Sequence, residues 1–325
     1  MQSYVGVQLP FYVERREKMR ERMRKSWIAF KKDWQLDLMI LLPLIYILVF
    51  YYAPMFGLQI AFRDYSPRDG IVGSEWVGFE NFIKFFRNYK WPQYVLNTLK
   101  ISLYSIFVGF PIPIILALLI HINEHPKLKK LVQNISYVPH FISVVVMVGI
   151  LNQVLNPFGG LWGSICTQFG WNAVDVRAMP EAFIHLYVWS GVWQSMGWNT
   201  IIYISALSSV SEELHEAARL DGASRWQRII HVDIPAIMPT ICIMLIMRFG
   251  SVMSVGYEKV YLMQNSLNLE QSEVISTYVY KYGIGRNDMS YGTAVGMMNS
   301  VINTILVILV NWITNKMSDG ENGLF

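Results

Sequence analysis

Apolar residues gather into six long runs, at 36–56, 95–120, 131–151, 183–207, 239–263 and 293–313, with polar stretches between them. Each run is long enough to cross a hydrocarbon core of about 30 Å as a helix. Pro111 and Pro113 are expected to kink the second run, and Pro139-His140 interrupts the third, because proline has no N–H to give the helical ladder. The stretches 57–94, 152–182 and 264–292 are polar and rich in Gly or aromatic residues. The pattern predicts an all-α polytopic membrane protein with about six transmembrane helices.

One polar stretch has a helical pattern of its own. Residues 216–235 read EAARLDGASRWQRIIHVDIP. Ser209, three residues before Glu212, offers a capping-box start for a short helix, and Gly222 offers its left-handed stop. Leu214, Ala217, Ala218 and Asp221 then share one face. Ser224, with Gln227 three residues on, restarts a helix, and Pro235 opens the next apolar run. The Ala-rich face leaves room for a groove or another backbone to approach.

Charge orients the chain. Only 15% of its 325 residues are charged while 53% are hydrophobic, and the net charge is +4, against about 25% charged in soluble domains. A basic run (Arg15, Arg16, Lys18, Arg20, Arg22, Arg24, Lys25, Lys31, Lys32) precedes the first span, with Met19, Met23, Trp27, Phe30 and Trp34 at helical spacing. It is too long and too charged for a cleavable signal. It reads either as an amphipathic helix on membrane lipid over 1–35 or as a solvated tail that fixes orientation. With the N-terminus inside, that run joins Lys127, Lys129, Lys130, Arg219, Arg225, Arg228 and Lys316 on the inner side. Arg63, Arg68, Lys84, Arg87, Lys90, Arg177, Lys281 and Arg286 stay outside, so the bias favours both termini, the tail 314–325 included, and the 209–235 loop in the cytosol. The basic residues form no aromatic-interleaved stripe, so no nucleic acid is expected. Cys166 and Cys242 lie far apart and make no CxxC motif.

The 216–235 stretch resembles the EAA loop of the membrane subunits of binding-protein-dependent ABC importers, through Glu216, Ala217, Ala218, Gly222, Ile234 and Pro235. The runs GLQIAFRDYSP, RFGSVMSVGYEKVYLM and NKMSDGENGLF are similar to the polysaccharide-type (LplB-like) permeases of the carbohydrate importer group, and the likeness covers nearly the whole chain. The resemblance implies a permease domain over 36–313 in a bacterial cell membrane. Its coupling helix, between the fourth and fifth spans, would sit in a cleft of an ATP-hydrolysing partner. It also implies a second permease subunit, two ATP-binding subunits and an extracytoplasmic solute-binding protein. Glu216, Ala217, Ala218, Asp221, Gly222 and Pro235 are then the ATPase-coupling residues. The chain has no G-x-x-x-x-G-K-[ST], so ATP and Mg would be bound by the partners, and the chain itself would be a non-catalytic subunit without a cofactor.

Substrate-path candidates lie in the spans on either side of that loop. Arg248, inside the fifth run, would cost about 2.5–3.5 kcal/mol at mid-membrane unless it faced protein or water. Ser251 and Ser254 extend a polar strip beyond it. In the fourth run, Trp193, Gln194 and Trp198, with Trp189, Ser195 and Asn199, combine aromatic faces with hydrogen-bonding groups, as a sugar requires. The competing readings are helix-carbonyl pairing for Arg248 and an interfacial aromatic belt for the tryptophans.

Two rivals come from other classes. His121-Ile-Asn-Glu124-His125 matches H-x-x-E-H, an inverted zinc-peptidase pattern, although Pro126 follows at once. His140, His185, His215 and His231 show no paired ligand spacing. An ion-driven transporter would want acidic groups inside the spans, and only Asp37 and Glu258, near ends, come close. Glu270 and Glu273 read as part of a solvated loop.

Overall fold

In the computed structural model the described residues are 34–317. The amphipathic helix expected over 1–35 and the tail expected over 314–325 lie outside them but for their innermost residues. Contacts divide the chain into two units, the first ending at Gln59 and the second beginning at Ile60.

The first unit ends in most of α1 (Trp34–Phe62), a 29-residue apolar helix. It changes pitch through a π turn, Leu48–Tyr52, into a 3-10 stretch, Ala53–Phe62. Pro54 lies at that change and has no N–H to continue the regular ladder.

The second unit opens with a two-residue antiparallel ladder, β1 (Arg63–Asp64) on β2 (Glu75–Trp76), with Arg63 opposite Trp76. The short α2 (Gly70–Gly73) bridges the strands and α3 (Glu80–Arg87) follows. Next come α4 (Trp91–Gly109), α5 (Pro111–Ile122), α6 (Pro126–Tyr137), α7 (Val144–Val154), α8 (Leu161–Gln168) and α9 (Pro180–Leu207). The 209–235 stretch supplies α10 (Glu212–Leu220) and α11 (Arg225–Arg228), and α12 (Ile234–Phe249) leaves it. The chain closes with α13 (Tyr257–Met263), α14 (Leu269–Ser272), α15 (Ile275–Val279) and α16 (Met289–Met317). Proline stands in the first turn of α4, α5, α6, α9 and α12. There its fixed φ suits the helix and its missing N–H is not needed.

Four stretches among the described residues are long and apolar enough to cross a membrane: α1, Trp91–Ile122, Arg225–Phe249 and Met289–Lys316. A bent pair, Pro126–Phe141 with Val144–Val154, would make a fifth. α9 has the length, 28 residues, or about 42 Å of helix. It is less apolar because it carries Ser190, Gln194, Ser195, Asn199 and Thr200.

The third expected span is interrupted where Pro139 stands, into two helices bent by 101°. Pro139 sits in a 3-10 turn, Ile142 is extended, and Ser143 caps α7 by accepting the Val146 N–H. The fifth does not run from 239 to 263. α12 stops at Phe249, a turn occupies 250–256, and α13 is a separate helix. Arg248 therefore ends a helix instead of lying mid-span, and Ser251 and Ser254 lie in the turn, not on a helical strip. The turn's backbone is satisfied within the protein. Asn303 of α16 accepts the Met253 N–H at 2.9 Å and donates to Ser254 Oγ at 2.8 Å, and Ser276 donates to the Val255 carbonyl.

α9 lies at the centre of the second unit, packed against α4, α5, α6 and α12. Ile101, Phe183, Val255, Val260 and Val274 form one core around it. Ala117, Leu118, Tyr203, Leu207, Ile229 and Ile237 form another, toward the 209–235 loop. A third, with Phe85, Tyr94, Tyr278 and Tyr291, joins α3 and α4 to the end of the chain.

Loops that alternation assigns to one side meet one another. Lys84 pairs with Asp288 at 2.7 Å, and Asn265 and Asn268 both donate to the Arg177 carbonyl. The Arg177 guanidinium, hydrogen-bonded to Asp175, holds that carboxyl below the usual carboxylate range. Glu273, read as solvated, is instead ion-paired with Lys281 at 2.7 Å. On the opposite side, Glu124 of the 123–125 connection reaches Arg225 at 3.1 Å.

The tightest helix approach is at Gly197. A Cβ there would lie 2.1 Å from the Ser136 carbonyl oxygen, whereas one at Gly149 would meet nothing within 4 Å. Gly197→Ala should therefore force α9 away from α6 and cost about 1–3 kcal/mol, as overpacking does. A thermal-unfolding series on detergent-solubilised protein checks this: Gly197→Ala lowers the midpoint, whereas Gly149→Ala does not, since alanine in an open helix interior is favourable.

Candidate functional site

The 209–235 lever is built from local signals. Ser211 starts α10 by accepting the Glu213 N–H at 3.2 Å. The expected cap, Ser209, does not act there, because its hydroxyl donates back to the Ala206 carbonyl at 2.7 Å and closes the end of α9. α10 ends in a Schellman arrangement, with Ala223 N–H to Ala218 O and Gly222 N–H to Arg219 O. Gly222 has φ +78° and open space where a Cβ would stand. It is needed for its backbone conformation, not for room. Ser224 and Gln227 form the expected capping box, and α11 passes through a π turn, Ile229–Asp233, into α12.

Glu216, Ala217, Asp221, Gly222 and Pro235 are exposed, and Ala218 is half-buried. Leu214, Leu220 and Trp226 project beside them, Leu220 at 90% exposure. A short helix that turns small and apolar side chains outward has a surface suited to a partner's groove. Beneath it, Ile229 belongs to the core formed with Leu207 and Ile237, and His215 is buried.

The peptidase pattern does not survive folding. α5 ends at Ile122, so His121 and His125 do not share a helix. His125 precedes α6 as an exposed residue, and Glu124 is held by Arg225. His121 turns instead toward Asp233, 3.7 Å away, and His215 stands 3.2 Å from the same carboxylate oxygen. His215 has no paired spacing along the chain, yet the fold sets it beside His121 and Asp233. Its companions are distant in sequence and no local spacing reveals them.

A cavity of about 310 Å³ opens between α4, α5, α9 and α12. Gln194, Ser195, Asn199, Tyr187, Arg248 and Lys259 are among its lining residues. A second cavity of about 160 Å³ adjoins it, sharing Ser105, Tyr187 and Arg248 and adding Ser251 and Ser254. Three of the expected path residues, Gln194, Arg248 and Ser251, thus come together. Trp193 and Trp198 do not line either cavity. Trp198 stacks on His140 with centroids 4.3 Å apart, and both tryptophans are exposed. Lys259 was missed, although a lysine within an apolar run is itself a signal. Its ammonium donates to the Tyr187 carbonyl at 2.7 Å and lies 4.5 Å from the Tyr187 ring centre. No carboxylate lines either cavity. Among the described residues, none of the ion pairs involves Arg248 or Lys259.

Residues 109–319 match the family model described as "Binding-protein-dependent transport system inner membrane component". The chain belongs to that family. As a permease it is 39% identical over 306 residues to the polygalacturonan/rhamnogalacturonan transport system permease protein YteP of Bacillus subtilis (strain 168), covering 94% of this chain and 95% of that one. It is also 39% identical over 301 residues to Protein LplB of the same organism, covering 92% and 94%. A chain of a bacterial alginate ABC transporter, crystallised in complex with alginate pentasaccharide-bound periplasmic protein, superposes with a TM-score of 0.83 at 34% identity. That match covers 92% of this permease and 99% of the other chain. The matched region contains both the lever and the cavity, and neither the peptidase nor the ion-driven reading gains support.

Gly222→Ala should strain the turn by about 1 kcal/mol, and Gly222→Asn should be tolerated better, because asparagine enters the left-handed region more readily. Hydrogen exchange over 217–224 checks this: protection should fall roughly fivefold in the alanine variant and little in the asparagine one.

Proposed function

We propose that this permease is half of the translocation path of an ATP-driven importer that takes up an acidic oligosaccharide, one whose sugars carry carboxylates. The observation that carries the reading is the pair of cations, Arg248 and Lys259, in a cavity without a carboxylate. Arg248 is exposed to the cavity and Lys259 is half-buried beside it, and two cations within a membrane-spanning region with no anionic partner are costly. A uronate carboxylate would offset that cost, and the arginine fork can take it bidentately. Gln194, Ser195 and Asn199 offer hydrogen bonds to hydroxyls, and Tyr187 and Tyr203 offer apolar faces to sugar C–H groups. The named substrates of similar proteins agree: polygalacturonan/rhamnogalacturonan for one relative, and the acidic polysaccharide alginate for a transporter of similar structure.

A second permease subunit completes the path, two ATP-binding subunits hold ATP and Mg, and an extracytoplasmic binding protein delivers the sugar. The permease lies in a bacterial cytoplasmic membrane with both termini and the 209–235 lever in the cytosol, the orientation supported by the Lys and Arg bias. Closure of the ATPases on ATP moves α10 as a rigid body, and the spans rock to expose the cavity outward. Glu216 meets a basic residue of the ATPase, while Ala217, Ala218 and the turn at Gly222 let the two surfaces come close.

Two experiments test this in complexes reconstituted with the binding protein. Arg248→Gln should raise the half-saturating concentration of a uronate trisaccharide at least tenfold, as loss of a charge-assisted hydrogen bond of about 1.5–3 kcal/mol requires. Lys259→Gln should act in the same direction. Equal uptake of a neutral trisaccharide by wild type would overturn the acidic assignment. For the lever, Glu216→Lys and Gly222→Asp should abolish ATP-dependent uptake while the complex still assembles, and normal uptake in both would refute the coupling role.

A further inference from the structure

Beneath the lever, three side chains from three elements converge. His121 comes from the last turn of α5, His215 from the middle of α10, and Asp233 from the π turn that leads into α12. Their ligand atoms all lie within 4.8 Å of one another. His215 Nε2 is 3.2 Å from Asp233 Oδ1, and His121 Nε2 is 3.7 Å from the same oxygen. His215 is 6% exposed and Asp233 1%. Yet His215 Nε2 and Asp233 Oδ1 make no hydrogen bond, to each other or to anything else among the described residues. They stand side by side within hydrogen-bond distance but are not aligned as donor and acceptor. Two buried polar atoms left this way would normally cost about 1–3 kcal/mol each.

A divalent ion explains the arrangement. Zinc takes imidazole nitrogen and carboxylate oxygen at about 2.0–2.2 Å in tetrahedral geometry, which spaces neighbouring ligand atoms by about 3.3 Å. The two measured separations from Asp233 Oδ1 lie close to that edge. All three residues line a cavity of about 220 Å³. Two cations on its wall are already engaged, Lys129 by the His121 carbonyl at 3.1 Å and Arg219 by Glu212 at 3.8 Å. Arg228, also on the wall, is buried near Asp233.

We infer that His121, His215 and Asp233 form a binding site for a divalent transition ion of the zinc class, which staples the lever to α5 and α12. The ion would tie α10 to the end of α5 and the start of α12 with three coordinate bonds, whereas the surface ion pair Glu124–Arg225 ties only the neighbouring α11, and weakly. This site is independent of the substrate and does no hydrolytic chemistry here.

The test uses the assembled transporter, purified without a polyhistidine tag, stripped with chelator and titrated with Co²⁺. Wild type should bind one ion per chain of this permease, with the visible absorption of tetrahedral cobalt, and Zn²⁺ should displace it. His215→Ala and Asp233→Asn should weaken binding roughly a hundredfold or more, beyond the 10–100-fold lost when only an outer-shell partner is changed. Because these two are buried and could fail to assemble, the half-buried His121→Gln serves as the third variant. In wild type, Zn²⁺ should raise the unfolding midpoint, and in His121→Gln it should not. Absence of stoichiometric binding to wild type, or wild-type affinity in assembled His121→Gln, would overturn the site.

Discussion

A helix that stops inside a membrane leaves carbonyls and N–H groups with no water to take them, and every feature around the cavity follows from how this permease meets that constraint. The break falls after Phe249. Asn303 reaches it from α16 with both ends of its amide, and Ser276 reaches it from α15. With those bonds in place the chain can turn at depth and bring Lys259 back toward α9. Arg248 is left at the helix end, where the last carbonyls carry the negative end of the dipole and favour a cation. An unbroken helix would continue past Arg248 and carry residue 259 away from it. The two cations share a cavity because the span is interrupted.

The centre of the second unit is stiff for a different reason. α9 presents Gly197 to the Ser136 carbonyl and buries Thr200 against α5, where its hydroxyl reaches the Pro113 carbonyl at 3.3 Å. Close approach through small residues is how helices associate where lipid offers no hydrophobic advantage. The polar content that lowers the apolarity of α9 is therefore partly packing, at Ser190 and Thr200, and partly cavity lining, at Gln194, Ser195 and Asn199. Gly197 and Thr200 turn away from Ser195 and Asn199, while Ser190 and Gln194, one turn apart, lie where the two faces meet.

Much of this was legible in the chain. The apolar runs located the helices, Pro111 and Pro139 marked two of the breaks, and Ser224 with Gln227 marked the restart within the lever. Gly222 was legible because a left-handed turn has so few residues that suit it. The rest failed wherever a distant partner decided the outcome. The run through Ser251-Val252-Met253 is apolar enough to continue a helix, and what stops it lies fifty positions away at Asn303. Ser209 reads as the cap until the end of α9 takes its hydroxyl, and Ser211 caps α10 instead. His121 was grouped with His125 because they are close in sequence, while its real neighbours belong to α10 and the start of α12.

Lever and cavity lie at opposite ends of one helix. α12 leaves the lever beside Asp233 and carries Arg248 in its last turn, its sixteen residues, Ile234–Phe249, spanning about 24 Å. A helix bends where its ladder is weak, and α12 has two such places, Pro239 and the π turn 229–233 before it. Pro239 lies one turn after Pro235 and has no N–H to offer it, yet the helix runs on, and both flanks are packed: Ile237 in the core with Leu207, and Ile246 fully buried. The π turn is braced by Ile229 in the core with Leu207 and Ile237, and the inferred ion on His121, His215 and Asp233 would brace it further. On the proposed coupling, a push on α10 would be carried along α12 as displacement more than absorbed as bending, and would arrive at the last turn, where Arg248 lines the cavity. Under the proposed coupling, the stiffness of that one rod is what would let movement of the lever reach the cavity.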